Sequence, residues 1–144
     1  VKSCMAALPD AVNVACFDSQ FHASMPAHVY TYPIDPVIAR KNQLRKYGFH
    51  GISYQYITTA VAGFLAKDPS DLNLIALHLG SGASACAIKN GRSWDNSMGL
   101  TPLAGLPGAT RSGSVDPRYV HPAPDTPFRP VRLCVGREAM MSSE

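Results

Sequence analysis

The stretch "LNLIALHLGSGASACAIKNGRSWDNS" at residues 72–97 constrains the fold more than any other part of the chain. Its first apolar run, residues 72–80, is typical of a fully buried strand. Asn90-Gly91 then separates two further strand-like runs, and this dipeptide is the strongest short hairpin signal because both residues tolerate positive φ. We therefore predict a strand, a glycine turn, a second strand, a tight turn and a third strand.

The glycine turn at residues 80–82 has two interpretations. Small side chains there would let backbone N–H groups approach an anion closely. The pattern is not the G-x-x-x-x-G-K-[ST] phosphate loop, and glycines of this kind more often mark a tight β turn. The spacing alone leaves a phosphate cradle and a plain hairpin open.

Helix signals lie on the N-terminal side of this stretch. Asp35-Pro36 is a plausible cap and first helical position, followed by a short helix that stops before Tyr47-Gly48. Apolar residues recur at helical spacing over 54–66, with Ser53 as the expected N-cap, and that helix should end before Asp68-Pro69. His50 falls on a bend flanked by glycines.

Three other segments are predicted from composition and pattern. "VNVACFDSQFH" (12–22) resembles a buried strand that ends in a loop near Asp18 and His22. Residues 99–117 are rich in Gly and Pro and should be ordered only if a ligand or a partner domain organises them. We expect residues 121–144, which carry four prolines and no sustained period, to be poorly ordered.

Composition excludes several functional classes. A chain of 144 residues with 46% hydrophobic and 16% charged residues is long enough for one globular domain. No apolar run approaches the roughly 18–20 residues of a membrane helix, so we expect no membrane partner. The net charge is +3, but the basic residues are scattered and no Lys/Arg block is interleaved with aromatics, so we expect no nucleic-acid partner.

The four cysteines, Cys4, Cys16, Cys86 and Cys134, lie far apart and lack paired C-x-x-C spacing, so we predict no metal site. Cys16 and Cys86 lie inside apolar runs, which favours buried free thiols. Free thiols and the absence of a recognisable export signal together favour a cytoplasmic location.

Three single residues are candidate chemical groups. His50 and Arg111 could each place hydrogen-bond donors or positive charge against a transferring phosphoryl group. Asp18 could orient an arginine or a metal-bound water, or it could cap the next turn. Taken singly, a structural histidine and a solvated loop arginine are the more common alternatives.

Four motifs in one order make these candidates specific. They are "VACFDSQFH", "KYGFHGISYQYI", "LIALHLGSGASACAIKNG" and "MGLTPLAGLPGATRSGSVDP". Together they resemble the signature of acetate kinases and related short-chain acyl kinases, whose usual forms are F-D-T-x-F-H, R-Y-G-F-H-G-T-S, H-L-G-N-G-A-S and G-T-R-S-G-D-I-D-P. The resemblance covers about residues 4–120 and keeps both order and separations.

The resemblance implies a partial α/β fold of the actin-like ATPase (ribonuclease H-like) class, shared with sugar kinases, Hsp70 and actin. It implies transfer of the ATP γ-phosphoryl group to acetate or another short-chain carboxylate, giving an acyl phosphate. His50 and Arg111 would then be catalytic stabilisers of the transition state, and Asp18 the acidic active-site residue. The ATP phosphates would lie along the residues of the glycine turn: His78, Leu79, Gly80, Ser81 and Gly82.

The same resemblance divides the chain into the end of an N-terminal lobe (1–22), the first part of a nucleotide-binding C-terminal lobe (23–120) and a non-matching tail (121–144). Family members are about 400 residues long, so we interpret the chain as a fragment lacking most of one lobe and much of the other. The Mg²⁺ ligands are expected outside it. The resemblance also implies a homodimer, an assembly we consider doubtful for this fragment.

Two departures from the family pattern affect the site. Ser81 replaces an asparagine, which keeps a hydrogen-bonding side chain with shorter reach, and Ser114 replaces an aspartate. Because an actin-like kinase works in a cleft between two lobes, a chain with one wall of the cleft is expected to be inactive alone. The alternative function is a non-catalytic chain that binds nucleotide weakly or associates with a full-length kinase.

Overall fold

The computed structural model describes residues 1–116. Over that range the chain forms three strands, four α-helices and two 3₁₀ helices. The strands are β1 (Leu74–Leu79), β2 (Ala83–Lys89) and β3 (Arg92–Asn96). The helices are α1 (Lys2–Ala7), α2 (Ala27–Tyr30), α3 (Pro36–Lys41) and α4 (Gly51–Leu65), with 3₁₀ helices at Gln20–Ser24 and Pro69–Asp71. The predicted order of strand, turn, strand, turn and strand is confirmed.

The three strands form one antiparallel sheet in the order β1-β2-β3. Asn90 and Gly91 connect β2 to β3 with φ angles of 52° and 69°, the positive values that a tight hairpin turn of this kind requires. At the other end of β2, the glycine turn returns the chain from β1. His78 therefore lies directly opposite Ser84 on the neighbouring strand.

Helix α4 covers one face of this sheet. Tyr54, on α4, is fully buried and packs with Ala76, Cys86 and Ile88 of the sheet to form the core. The opposite face of β1 carries Ile75, Leu77 and Leu79, and Ile75 is 83% exposed. The prediction of a strand buried on both faces is therefore wrong, because the three side chains on this second face are all exposed within residues 1–116.

The predicted cap of α3 at Asp35 is confirmed, whereas the predicted cap of α4 at Ser53 is wrong. The Asp35 carboxylate accepts hydrogen bonds from the N–H groups of Val37 and Ile38, and Pro36 occupies the first turn of α3. Helix α4 instead begins after His50, which has φ 60° and no side-chain cap. Ser53 lies inside the first turn of α4, and its hydroxyl is 3.0 Å from Nδ1 of His78.

The predicted strand at 12–22 is not formed. Residues 12–17 have no regular structure, and residues 20–24 form a 3₁₀ helix. Val12 and Val14 are 89% and 79% exposed, and Cys16 is exposed rather than buried. A strand needs a neighbour to accept its ladder hydrogen bonds, and the part of the chain described here supplies none for residues 12–17.

Two further expectations concern membrane helices and the C-terminal residues. Within residues 1–116, none of the helices has the length and apolar composition that crossing a bilayer requires. Cys134 and the predicted disorder of residues 121–144 lie outside the described residues.

Candidate active site

Asp18 and His50 meet at the start of α4. The Asp18 carboxylate accepts a hydrogen bond of 2.7 Å from the His50 N–H, and the Asp18 carbonyl accepts one of 2.7 Å from the Gly51 N–H. These are amide groups at the positive end of the α4 dipole, where a carboxylate is stabilising. Asp18 therefore caps the start of α4, which begins 33 residues later in the chain, rather than the next turn, and its carboxylate holds the N–H of His50, whose φ is 60°.

Ser84 and His78 hold the His50 ring. Nδ1 of His50 lies 2.8 Å from the Ser84 hydroxyl oxygen, which is itself 2.5 Å from the Tyr54 hydroxyl. The imidazoles of His50 and His78 are stacked, with ring centroids 4.0 Å apart and an interplanar angle of 21°. Both rings thus lie at the end of the sheet where β1 turns into β2.

The Arg111 guanidinium also lies at this end of the sheet, beside Gly82. A Cβ atom added at Gly82 would lie 2.5 Å from Nη2 of Arg111 and 3.5 Å from Nε2 of His50. The absence of a side chain at Gly82 lets the guanidinium lie this close to the turn beside the imidazole. Gly80 is different, because a Cβ there would meet its nearest neighbour, the Gly82 carbonyl oxygen, at an ordinary 3.5 Å.

The Gly/Pro-rich loop reaches the glycine turn through its own backbone. Ala109 donates an N–H hydrogen bond of 2.9 Å to the Ser81 carbonyl, and Gly108 donates one of 2.9 Å to the Arg111 carbonyl. Ser114 donates its N–H to the Gly105 carbonyl, and its hydroxyl accepts from the Gly105 N–H. Residues 99–116 are thus joined to the glycine turn and to one another by hydrogen bonds, and whether a ligand or partner organises them stays a prediction.

Burial and the neighbouring side chains lower the pKa of His50. Burial lowers the pKa of His50 below 6.5, the nearby His78 and Arg111 lower it further, and the Asp18 carboxylate opposes them. At neutral pH the ring is therefore an uncharged imidazole with one N–H donor. Positive charge at this end of the sheet comes from Arg111.

The structure thus assembles most of the residues predicted for the site. Asp18, His50 and His78 form a connected chain of contacts, and Arg111 lies with His50 around Gly82. The other predicted residues continue this turn: Leu79, whose side chain is 72% exposed, Gly80, whose N–H donates to the Gly82 carbonyl, and Ser81. Their roles remain predictions from the motifs.

Sequence reasoning missed the residues behind the two imidazoles. The Ser53 and Ser84 hydroxyls contact His78 and His50, and the Tyr54 hydroxyl contacts that of Ser84, although none of the three was predicted for the site. Ser53 and Tyr54 are three and four residues after His50, so the helical period places them beneath the bend. Ser84 could have been found only from the strand register opposite His78.

Within residues 1–116, no metal-binding cluster lies at this site, and a surface cavity lies elsewhere. Residues 1–116 hold no group of three or more His, Cys, Asp or Glu placed to bind a metal ion. A separate surface cavity of about 490 Å³ is lined by residues between Tyr30 and Tyr47, where the Arg45 guanidinium lies 3.8 Å from the Tyr30 ring centre. It contains none of the predicted site residues.

The sheet, its covering helix and the glycine turn belong to a protein of the actin-like ATPase fold, as the closely matching solved structures show. A family profile described as the Acetokinase family matches residues 1–125, and the chain belongs to that family. This range is slightly wider than the 4–120 expected from the motifs.

Individual relatives agree with this assignment. A probable acetate kinase of Chaetomium globosum is 72% identical over 120 residues, which are 83% of this chain and 26% of that protein. An acetate kinase of Acetivibrio thermocellus is 50% identical over 120 residues, 83% of this chain and 30% of that protein.

Solved structures of acetate and propionate kinases support the same family assignment. Porphyromonas gingivalis acetate kinase matches with a TM-score of 0.76 at 39% identity, and a propionate kinase of Francisella tularensis with 0.77 at 41%. Each match covers 83% of this chain and 30% of the solved chain. The chain therefore spans 26–30% of the length of these relatives.

Proposed function

We propose that this chain supplies one wall of the site at which a carboxylate kinase transfers the γ-phosphoryl group of ATP to acetate. The observation that carries the proposal is the convergence of His50 and Arg111 on Gly82, where a Cβ atom would collide with the guanidinium. Both side chains lie close enough to this glycine to contact one phosphate group bound beside it. Similarity to acetate kinases supports acetate as the acceptor, and similarity to a propionate kinase supports other short-chain carboxylates as close alternatives.

In this proposal the residues act by position and charge. A carboxylate acceptor is already anionic and needs little help from a general base, so catalysis depends on alignment and on neutralising the charge of the phosphoryl group. The Arg111 guanidinium neutralises that charge, and the neutral His50 ring donates a hydrogen bond. Asp18 holds His50 in place through its backbone N–H.

The nucleotide side of the proposal uses the glycine turn. His78, Leu79, Gly80, Ser81 and Gly82 lie along the ATP phosphates, with Ser81 in place of the usual family asparagine. Mg²⁺ would screen the phosphate charges when it enters with ATP, and its protein ligands belong to segments of the kinase that this chain does not contain. We further propose the division at residues 1–22, 23–120 and 121–144, a cytoplasmic location supported by the buried free thiol of Cys86, and a homodimer of the complete kinase.

A second candidate function is a non-catalytic chain that binds nucleotide or a full-length kinase. The observation that favours it is the open sheet face of Ile75, Leu77 and Leu79, in a chain that spans 26–30% of its relatives. Contiguous exposed apolar side chains of this kind mark surfaces that contact other proteins.

Two assays separate the candidates. The purified chain is mixed with acetate and Mg·ATP, and acetyl phosphate formation and ATP binding are measured. Turnover that disappears in Arg111→Ala would refute the non-catalytic function, whereas ATP binding without turnover would support it.

Catalytic capacity of the residues is tested in a complete kinase. In a chimera, the 120 aligned residues of this chain replace their counterparts in the Chaetomium globosum relative. The proposal expects the chimera to form acetyl phosphate at a rate close to that of its parent, which is assayed beside it. An inactive but folded chimera of an active parent would overturn the proposal.

A further inference from the structure

A buried hydroxyl pair lies behind the His50 ring, on the side away from Gly82. The Ser84 hydroxyl is 2.8 Å from Nδ1 of His50 and 2.5 Å from the Tyr54 hydroxyl. Ser84 and Tyr54 are both 0% exposed. The three polar groups therefore form a chain that shares a fixed number of protons.

Counting those protons fixes the donor and the acceptor of each hydrogen bond among Tyr54, Ser84 and His50. The Ser84 hydroxyl has one proton, so it donates to one neighbour and accepts from the other. Burial raises the pKa of the Tyr54 hydroxyl, which therefore keeps its proton at neutral pH and needs an acceptor for it. The acceptor that the structure gives the Tyr54 proton is then Ser84, which leaves the Ser84 proton for Nδ1 of His50.

The opposite direction leaves a buried group without a partner. If His50 donated from Nδ1, Ser84 would have to donate to Tyr54. The Tyr54 oxygen would then accept from Ser84, and its own proton would be buried without a side-chain acceptor among residues 1–116. Unsatisfied buried donors are strongly disfavoured, so the first direction prevails.

We propose that Tyr54 and Ser84 are positioning residues that fix the tautomer of His50, holding the ring proton on Nε2. Nε2 is the nitrogen that faces Gly82 and Arg111, so the ring presents a donor where the proposed function requires one. The inference rests on that proposed function for its purpose, but the tautomer itself is a property of the folded chain alone.

His78 and Ser53 provide a matched control. Nδ1 of His78 lies 3.0 Å from the Ser53 hydroxyl, so each stacked imidazole has its own serine. Ser53→Ala removes a hydroxyl from the His78 side and leaves the Tyr54–Ser84–His50 chain intact. An effect on His50 that depends on the Tyr54–Ser84–His50 hydrogen bonds should therefore appear in Tyr54→Phe and Ser84→Ala but not in Ser53→Ala.

The test is nuclear magnetic resonance of the ¹⁵N-labelled 144-residue chain, with long-range ¹H–¹⁵N correlations assigning the protonated nitrogen of each histidine. Spectra are recorded at about pH 7.5, where an ordinary histidine is neutral. In the wild-type chain we expect His50 to carry its proton on Nε2 alone. In Tyr54→Phe the Ser84 hydroxyl becomes free to accept, so we expect a measurable Nδ1-protonated fraction; Ser84→Ala should produce the same mixture, and Ser53→Ala should not.

Two results would overturn the inference: a wild-type His50 protonated on Nδ1, or variants that retain the single wild-type tautomer. Tyr54→Phe keeps the buried ring, so it carries the test if Ser84→Ala disrupts folding, and backbone amide spectra report that. No nucleotide or turnover enters the measurement, so a chain that fails to transfer phosphoryl groups still gives a decisive answer.

Discussion

Substituting Gly82 by alanine perturbs the proposed site at one defined point. The added Cβ would lie 2.5 Å from Nη2 of Arg111, whereas ordinary contacts of a Cβ begin at 3.4 Å. The guanidinium must therefore retreat by about 0.9 Å, a distance set by these two values. His50, at 3.5 Å from the same Cβ, need not move.

The expected cost falls on catalysis rather than on folding. Displacing a catalytic group by about 1 Å can slow a reaction by roughly 10²-fold, and we expect that loss for Gly82→Ala in the chimera. The tip of an arginine is flexible, so the free energy of unfolding of the 144-residue chain should change by less than about 1 kcal/mol. Acetyl phosphate formation and urea denaturation measure the two quantities.

Gly80→Ala is the matched control, because it makes the same change two residues away without a close contact. We expect its rate to stay within a few fold of the chimera's. If Gly82→Ala and Gly80→Ala were equally active, the guanidinium would not act at the place where the structure puts it, and the reasoning would be refuted.

Three further predictions concern the folded chain itself. In Gly51→Ala the new Cβ would collide with the Asp18 carbonyl oxygen, and we expect about 1–3 kcal/mol of destabilisation in urea, against little change for Gly63→Ala, which has open space around it. Burial lowers the pKa values of His22 and His50 below 6.5, so near that pH the unfolded chain binds more protons than the folded chain. The urea concentration at the unfolding midpoint should therefore decrease as the pH is lowered from about 7.5 to about 5.5. An increase over that range would contradict the burial of the two rings. Burial also raises the pKa of Cys86 from 9.0 to about 11, so at neutral pH its thiolate fraction should be about 10²-fold lower than that of a thiol with pKa 9.0. Mass mapping should therefore find Cys86 alkylated far more slowly than the exposed Cys4 and Cys16.

The local features that the sequence predicted well are those fixed by neighbouring residues. Asn90-Gly91 determines the β2–β3 turn through its positive φ angles, and Asp35-Pro36 determines the start of α3 through its carboxylate. Both depend on only a few consecutive residues. The motif resemblance correctly indicated the fold class and family.

The failures arose where a residue's partner is distant in sequence. Ser53 looked like a helix cap, but its hydroxyl contacts His78, and the α4 start is held by Asp18 instead. Residues 12–17 have the pattern of a buried strand, yet no neighbouring strand pairs with them in residues 1–116. The Tyr54–Ser84 pair escaped notice because its members join the site only through helix packing and strand register.

The most direct test of the central claim is the rate of acetyl phosphate formation by the chimera with Arg111→Ala. Arg92→Ala is the control, since Arg92 is an exposed cation of β3 beside the Asn90-Gly91 turn, at the opposite end of β2 from the glycine turn. The account predicts a loss on the order of 10²–10³-fold for Arg111→Ala and near-parental activity for Arg92→Ala. Equal rates for the two variants would contradict the claim that this chain forms a wall of a phosphoryl-transfer site.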